Sequence, residues 1–246
     1  MPESLSARRV QRVRHELKRR ELVVLRADTI SPSFRRITFT AESLADFVSA
    51  SFDDHIKLIL DVGGGDPVMR DYTPRRFDAA ARELDVEFAL HGDGPAANWA
   101  GQARPGQRVT IGGPRGSFIV PLDFEWHLLV GDETALPAIA RRLEELPAGS
   151  RAVVRVAVTD PGDRRPLASA AAVDLAWLDT SSALLAAVRS IALPGGEGYA
   201  WCAAEAAIAT QLRKILVDEK GHDRNAIRAA AYWKQGAVAH HENLDS

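Results

Sequence analysis

A cation, a flat aromatic ring and a hydroxyl fall within four residues of this chain, at Arg70, Tyr72 and Thr73. An alternating stretch follows, Leu84-Asp85-Val86-Glu87-Phe88-Ala89-Leu90, and it breaks at His91-Gly92-Asp93-Gly94-Pro95. Beyond it, Ala96-Ala97-Asn98-Trp99-Ala100 predicts the first turn of a helix. A strand that passes through a glycine-containing turn into a helix start exposes backbone N–H groups able to hold a phosphate. With an arginine, an aromatic and a hydroxyl nearby, such a turn suits a dinucleotide carrying a flat ring system, such as FAD. Each signal alone is a common surface feature. Their order and closeness carry the cofactor reading.

A third motif, Gly112-Gly113-Pro114-Arg115-Gly116-Ser117, completes the pattern R-x-Y-T, H-G-D-G-P-A-x-x-W-A, G-G-P-R-G-S. In these motifs, and over nearly its whole length, the chain resembles the siderophore-interacting protein family, flavin-containing ferric-siderophore reductases related to ferredoxin reductases. The resemblance implies an oxidoreductase with FAD as cofactor, NADPH or NADH as electron donor, and a ferric siderophore as small-molecule substrate. Two alternatives stay open: a flavin reductase serving a protein acceptor such as ferredoxin, and a flavin- or siderophore-binding protein without turnover.

Under that resemblance each residue type takes a role. Arg70 is expected to pair with flavin phosphate, where a guanidinium fork fits. Tyr72 is expected to stack on the isoalloxazine and Thr73 to hydrogen-bond near its N5, which makes these two the catalytic candidates. Phe88, His91, Gly94, Pro95, Ala96, Ala97 and Trp99 are expected to hold the pyrophosphate and frame the ring. G-D-E-T-A-L-P-A at 131–138, containing Thr134, resembles the family's nicotinamide-side turn. W-C-A-A-E at 201–205 resembles the second such turn, with Ala203 and Ala204 where relatives often carry glycine. The closing Tyr232-Trp233-Lys234 element, by the same resemblance, brings Trp233 beside the flavin and turns Lys234 toward substrate. Lys57 stands at a D-x-H-x-K-L position that the family uses in its siderophore site. Ferric siderophores bearing catecholate or carboxylate groups are commonly anionic, so Lys57, Arg115 and Lys234 form the expected docking patch. No protein iron ligand is required, because the siderophore already satisfies the metal.

The donor is less clearly marked. Asp160 closes the second apolar strand of the C-terminal half, where an acid suits the ribose hydroxyl of NADH. Arg164 and Arg165 follow and suit the extra phosphate of NADPH. NADPH is the expectation, since the Tyr-Trp-Lys element also resembles the branch of the family that uses it. The half lacks G-x-G-x-x-G.

The elements that must position these residues read as two domains. Runs at 22–25, 34–39 and 55–60 read as strands and are punctuated by Ser31-Pro32-Ser33 and glycines 63–65, as in hairpin-linked antiparallel structure. Ile56, Leu58 and Leu60 share one face, which leaves Lys57 off the core. With 84–90, 109–111 and 118–120 they predict a six-stranded antiparallel β-barrel, the FAD domain, over 21–124. Residues 125–246 predict an α/β domain with a parallel sheet: apolar strands at 126–130, 153–158 and 199–202, each followed by helical or loop signals. Ahead of both, residues 4–20 are rich in arginine and predict a solvated basic helix or leader.

Composition narrows the function further. In 246 residues, 46% are hydrophobic and 26% charged, and the formal charge of -2 argues against general nucleic-acid binding. One cysteine, Cys202, is too few for an internal disulfide or a four-cysteine iron–sulfur cluster. The seven histidines show no zinc spacing, and His240-His241 reads as a solvated tail, so no metal site is expected. Neither a membrane-spanning run nor a signal peptide is evident. The expectation is a cytoplasmic monomer without a nucleic-acid partner.

Overall fold

The computed structural model describes residues 10–61, 63, 65–90, 92, 94–236 and 242–244. They form two compact units, Gln11–Ile119 and a second from Val120 onward. The sequence pattern puts this division at 124/125.

The first unit contains β1 (Gln11–Arg14), β2 (Arg19–Ser31), β3 (Phe34–Thr40), β4 (Ile56–Leu60), β5 (Val68–Tyr72), β6 (Pro74–Asp78), β7 (Glu83–Ala89), α1 (Pro95–Gln102), β8 (Arg108–Gly112) and β9 (Gly116–Ile119). Seven strands pair in the order β5-β4-β8-β2-β3-β7-β6, antiparallel throughout, while β1 and β9 make a separate ribbon. The two edges of the sheet, β5 and β6, are consecutive in the chain and joined through Thr73, yet they do not pair with each other. The antiparallel sheet expected of a six-stranded barrel is thus present, with seven strands and with its two edges unjoined. One cause is local: Pro74 has no N–H to donate, and the β6–β7 register slips between Pro74 and Arg76.

Alternation explains the core of this unit. Ile56, Leu58 and Leu60 are buried and Lys57 and Ile59 less so, as the period of two requires. On β7, Leu84, Val86 and Phe88 enter the core, and full burial of a side chain such as Phe88 contributes roughly 2–3 kcal/mol. The other face of β7 carries acids that neighbouring strands neutralise. Arg26 meets Glu83 at 2.7 Å, Thr38 donates to Asp85 at 2.6 Å, and Glu87 lies 2.6 Å from Arg36 and 3.4 Å from Arg75.

The basic segment departs from expectation. Residues 4–9 lie outside the described residues, and Gln11–Arg14 is a strand where a helix was expected. Its apolar residues have no face to bury: Val13 is 38% and Leu17 56% exposed. Pairing with β9 satisfies the backbone instead, in register from Gln11 opposite Ile119 to Arg14 opposite Gly116.

The second unit contains β10 (Trp126–Gly131), α2 (Leu136–Glu145), β11 (Arg151–Ala157), β12 (Ala172–Leu178), α3 (Ser181–Ser190), β13 (Gly198–Glu205), α4 (Ala206–Lys214), β14 (Ile227–Trp233) and β15 (Glu242–Asn243). The sheet order is β12-β11-β10-β13-β14-β15, with parallel pairing except at β15. The apolar strands and the first and last helices of this unit follow the sequence reading. β12 and α3 are additions to it. β12 is an edge strand whose first residues are exposed, so it lacks the apolar run that marks β10, β11 and β13. None of the described helices is long and apolar enough to cross a membrane.

Candidate functional site

Two groups of residues answer the sequence expectations, one in each unit. In the first, β5 carries Arg70 and Tyr72 along the sheet edge, and Thr73 marks the reversal into β6. Tyr72 is half-buried and packs on Phe88 with ring centroids 4.3 Å apart and planes at 46°. Phe88 in turn meets Trp99 at 5.9 Å, and Trp99 stacks on Phe39 at 6.2 Å and 14°. Because Phe88 is fully buried, it supports Tyr72 from beneath and offers no surface of its own to a ligand. Burial also raises the Tyr72 phenol well above its usual range, with the Arg70 charge pulling the other way. The ring is thus neutral at every physiological pH. The Arg70 guanidinium donates to its neighbour's carbonyl, Met69 O, at 2.8 Å. Thr73 is 7% exposed, and its hydroxyl makes no hydrogen bond among the described residues.

The turn after β7 leads into α1 with Gly94 as N-cap and Pro95 in the first turn. Pro95 fixes the helical φ where no N–H is needed. No described side chain caps Ala96 or Ala97, so their amides remain for an outside acceptor. A Cβ built on Gly94 would meet nothing within 4 Å among the described residues. An uncapped helix start, an unsatisfied threonine hydroxyl, a supported tyrosine face and an arginine beside it fit the diphosphate and ring of a flavin dinucleotide. His91 lies outside the described residues.

Sequence reasoning missed Arg35. It follows Phe34 on the core-facing register of β3 and stands opposite Phe88. Its guanidinium donates to Ala100 O at 2.8 Å, Gly101 O at 2.5 Å and Ala103 O at 2.9 Å. These are carbonyls at the C-terminal end of α1, where a cation also complements the helix dipole. Two adjacent arginines in a strand that otherwise points apolar residues inward were the available signal.

Of the expected substrate cations, Lys57 and Arg115 lie toward one end of the first sheet. Lys57 stands opposite Gly112 across β4–β8, and the turn carrying Arg115 begins at the next residue. Lys57 is less free than expected. Its ammonium holds both oxygens of Asp71, at 2.8 and 2.9 Å, from the β5 residue it pairs with. Arg115 is exposed. Lys234 is also exposed, and belongs to the second unit.

In the second unit the candidates gather at the C-terminal ends of the parallel strands, where ligands bind in sheets of this kind. The turn 131–138 leaves β10 through Gly131. A Cβ there would stand 2.4 Å from Ala203 O and 2.4 Å from Ala135 Cβ, so only glycine lets the turn pack against β13. Thr134 donates its amide and hydroxyl to Asp132, at 3.0 and 2.5 Å. Trp233, 42% exposed, donates its indole N–H to the same carboxylate at 2.9 Å. Ala203 and Ala204 are fully buried strand residues. Beyond them Glu205 caps α4, accepting from Ala207 N at 2.6 Å and Ile208 N at 3.4 Å. Asp160 turns inward on its own loop, accepting from Gly162 N at 2.7 Å, and Arg164 pairs with Asp179. Asp132 and Glu205 stood within the quoted motifs but were not singled out.

Comparison with known proteins identifies the family and the fold. Residues 124–236 match the siderophore-interacting protein family, and residues 23–66 and 61–118 match the siderophore-interacting FAD-binding domain. An NADPH-dependent ferric-chelate reductase of Escherichia coli is 36% identical over 91% of this chain and 96% of its own. A ferric vibriobactin reductase of Vibrio cholerae is 33% identical over 91% of this chain and 93% of its own. The crystal structure of a siderophore utilization protein from T. fusca superposes with a TM-score of 0.86 at 31% identity, covering 94% of this chain and 98% of that one.

Proposed function

The chain belongs to the siderophore-interacting protein family, and on that footing we propose that it reduces ferric siderophores with electrons that NADPH supplies through FAD. The observation that carries this reading is the pairing of an uncapped α1 start with the Tyr72 ring braced on Phe88. FAD, when bound, supplies the conversion of a two-electron transfer from a nicotinamide into one-electron delivery to Fe(III).

The chain's own residues bind and orient. Arg70 and the Ala96 and Ala97 amides hold phosphate, Tyr72 gives the flat ring a wall, and the Thr73 hydroxyl serves as the hydrogen-bonding group at the ring edge. Thr134 belongs to the nicotinamide side. Lys57, Arg115 and Lys234 attract an anionic chelate and leave its iron ligands in place. Reduction weakens the chelate because Fe(II) is less charged and hard oxygen donors hold it poorly. Release of iron is the outcome, in the cytoplasm and by a monomer, with the ferric chelate and not ferredoxin as acceptor.

Lys57→Ala tests the docking role. The expected result is a KM for a ferric catecholate siderophore raised about fivefold or more, with NADPH oxidation by a small neutral acceptor unchanged. Equal losses with both acceptors would place Lys57 outside substrate docking.

A further inference from the structure

The Asp132 carboxylate is 8% exposed, and among the described residues no basic side chain pairs with it. It is served entirely by neutral donors. Thr134 N and Thr134 Oγ1 donate to Oδ1, at 3.0 and 2.5 Å, while Glu205 N and Trp233 Nε1 donate to Oδ2, at 3.0 and 2.9 Å. Those donors come from the ends of β10, β13 and β14, so one carboxylate gathers three strand ends at the edge of the sheet. A buried carboxylate without a cation is costly, and its placement is sustained only while its donors stay in place. Trp233 gains most from this. Its ring is 42% exposed, and exposed tryptophans ordinarily sample several rotamers. Here the indole N–H is pinned, and two residues further on, the Gln235 amide reaches Glu205 Oε1 at 3.4 Å.

We propose that Asp132 is a positioning residue, a latch that fixes the Trp233 ring in one orientation as a wall for the nicotinamide dinucleotide. The inference rests on the reductase reading for its ligand, but not for the latch itself. An asparagine cannot replace the carboxylate. Four donors converge on two oxygens, and an amide must turn its NH2 toward one pair of them, setting donor against donor.

The test uses the FAD-loaded protein and four forms: wild type, Asp132→Asn, Trp233→Phe and the double variant. NADP+ affinity is measured by calorimetry. Acrylamide quenching assigned to Trp233 is taken as the difference between each form and its Trp233→Phe counterpart. The latch predicts that Asp132→Asn weakens NADP+ binding about tenfold and makes Trp233 markedly more quenchable. Trp233→Phe should weaken binding similarly, and adding Asp132→Asn to it should cost little more, since the latch has nothing left to hold. Full additivity, or quenching of Trp233 unchanged in Asp132→Asn, would overturn the proposal. Should Asp132→Asn fail to fold, Trp233→Phe still decides: it removes one donor and leaves the other three, and unchanged NADP+ affinity would refute the latch. If wild type itself binds no NADP+, the reductase reading fails, and the quenching comparison judges the latch alone.

Discussion

Arg35→Ala isolates the claim that α1 must be held at its far end for its near end to bind phosphate. The helix has eight residues, too few to persist without tertiary support. Arg35 supplies three hydrogen bonds to its last carbonyls. Charged hydrogen bonds contribute about 1.5–3 kcal/mol each when fully counted, but these share one half-buried guanidinium, so roughly 2–3 kcal/mol for the set is the reasonable sum. If the bound flavin has to recapture that loss, FAD affinity falls by roughly tenfold to a hundredfold, about 1.4–2.7 kcal/mol. Arg35→Lys, which keeps the charge and one or two of the bonds, should fall between. The assay is titration of apoprotein with FAD followed by flavin fluorescence, beside thermal unfolding of the apo and loaded forms. Apo stability reduced while FAD affinity stays within about twofold of wild type would refute the reasoning, since the clamp would then serve the fold and not the site.

Other expectations follow from single contacts. Gly131→Ala forces a Cβ to within 2.4 Å of a backbone oxygen and should cost about 2–4 kcal/mol of stability, read as a lowered denaturant midpoint. His127 is 1% exposed, and burial with the nearby Arg142 charge lowers its pKa to about 4. The unfolded chain therefore binds its proton first, so this contribution to stability is complete above the unfolded value near 6.5 and declines as pH falls toward 4. It amounts to about 3 kcal/mol by pH 4, and the decline should flatten in His127→Gln when unfolding free energies are compared across that range. Cys202 is fully buried and its thiol is pushed up to about 12, so it should resist a thiol reagent at pH 8 until the protein is denatured. Rapid labelling of the native protein would contradict that burial.

Much of this architecture is legible in the sequence because it is written in short-range patterns. The alternation on β4 and β7 gives the core-facing set directly, and the apolar runs of β10, β11 and β13 announce a buried parallel sheet. The three motifs of the proposed site are each contiguous, so spacing alone locates them. What escaped depends on partners far apart in the chain. Arg35 acts on carbonyls some 65 residues away, and Asp132 on an indole 101 residues away. Nothing local separates Asp132 from an ordinary acid, and the Arg35-Arg36 pair marks its strand as unusual without showing what the cation holds. The open sheet escaped for a related reason, since whether β5 and β6 pair depends on the turn at Thr73-Pro74 and not on either strand's pattern. The basic N-terminal stretch misled because its apolar spacing was near-helical while Val13 and Leu17 stay exposed to solvent.

The most direct test of the central claim is an anaerobic titration of the FAD-loaded protein, first with NADPH and then with a ferric siderophore in the presence of an Fe(II) trap. The account predicts that flavin absorbance bleaches with NADPH and returns on adding the siderophore, with two trapped Fe(II) ions for each NADPH consumed. Bleaching that persists with no Fe(II) trapped would contradict it and leave a protein acceptor in the siderophore's place.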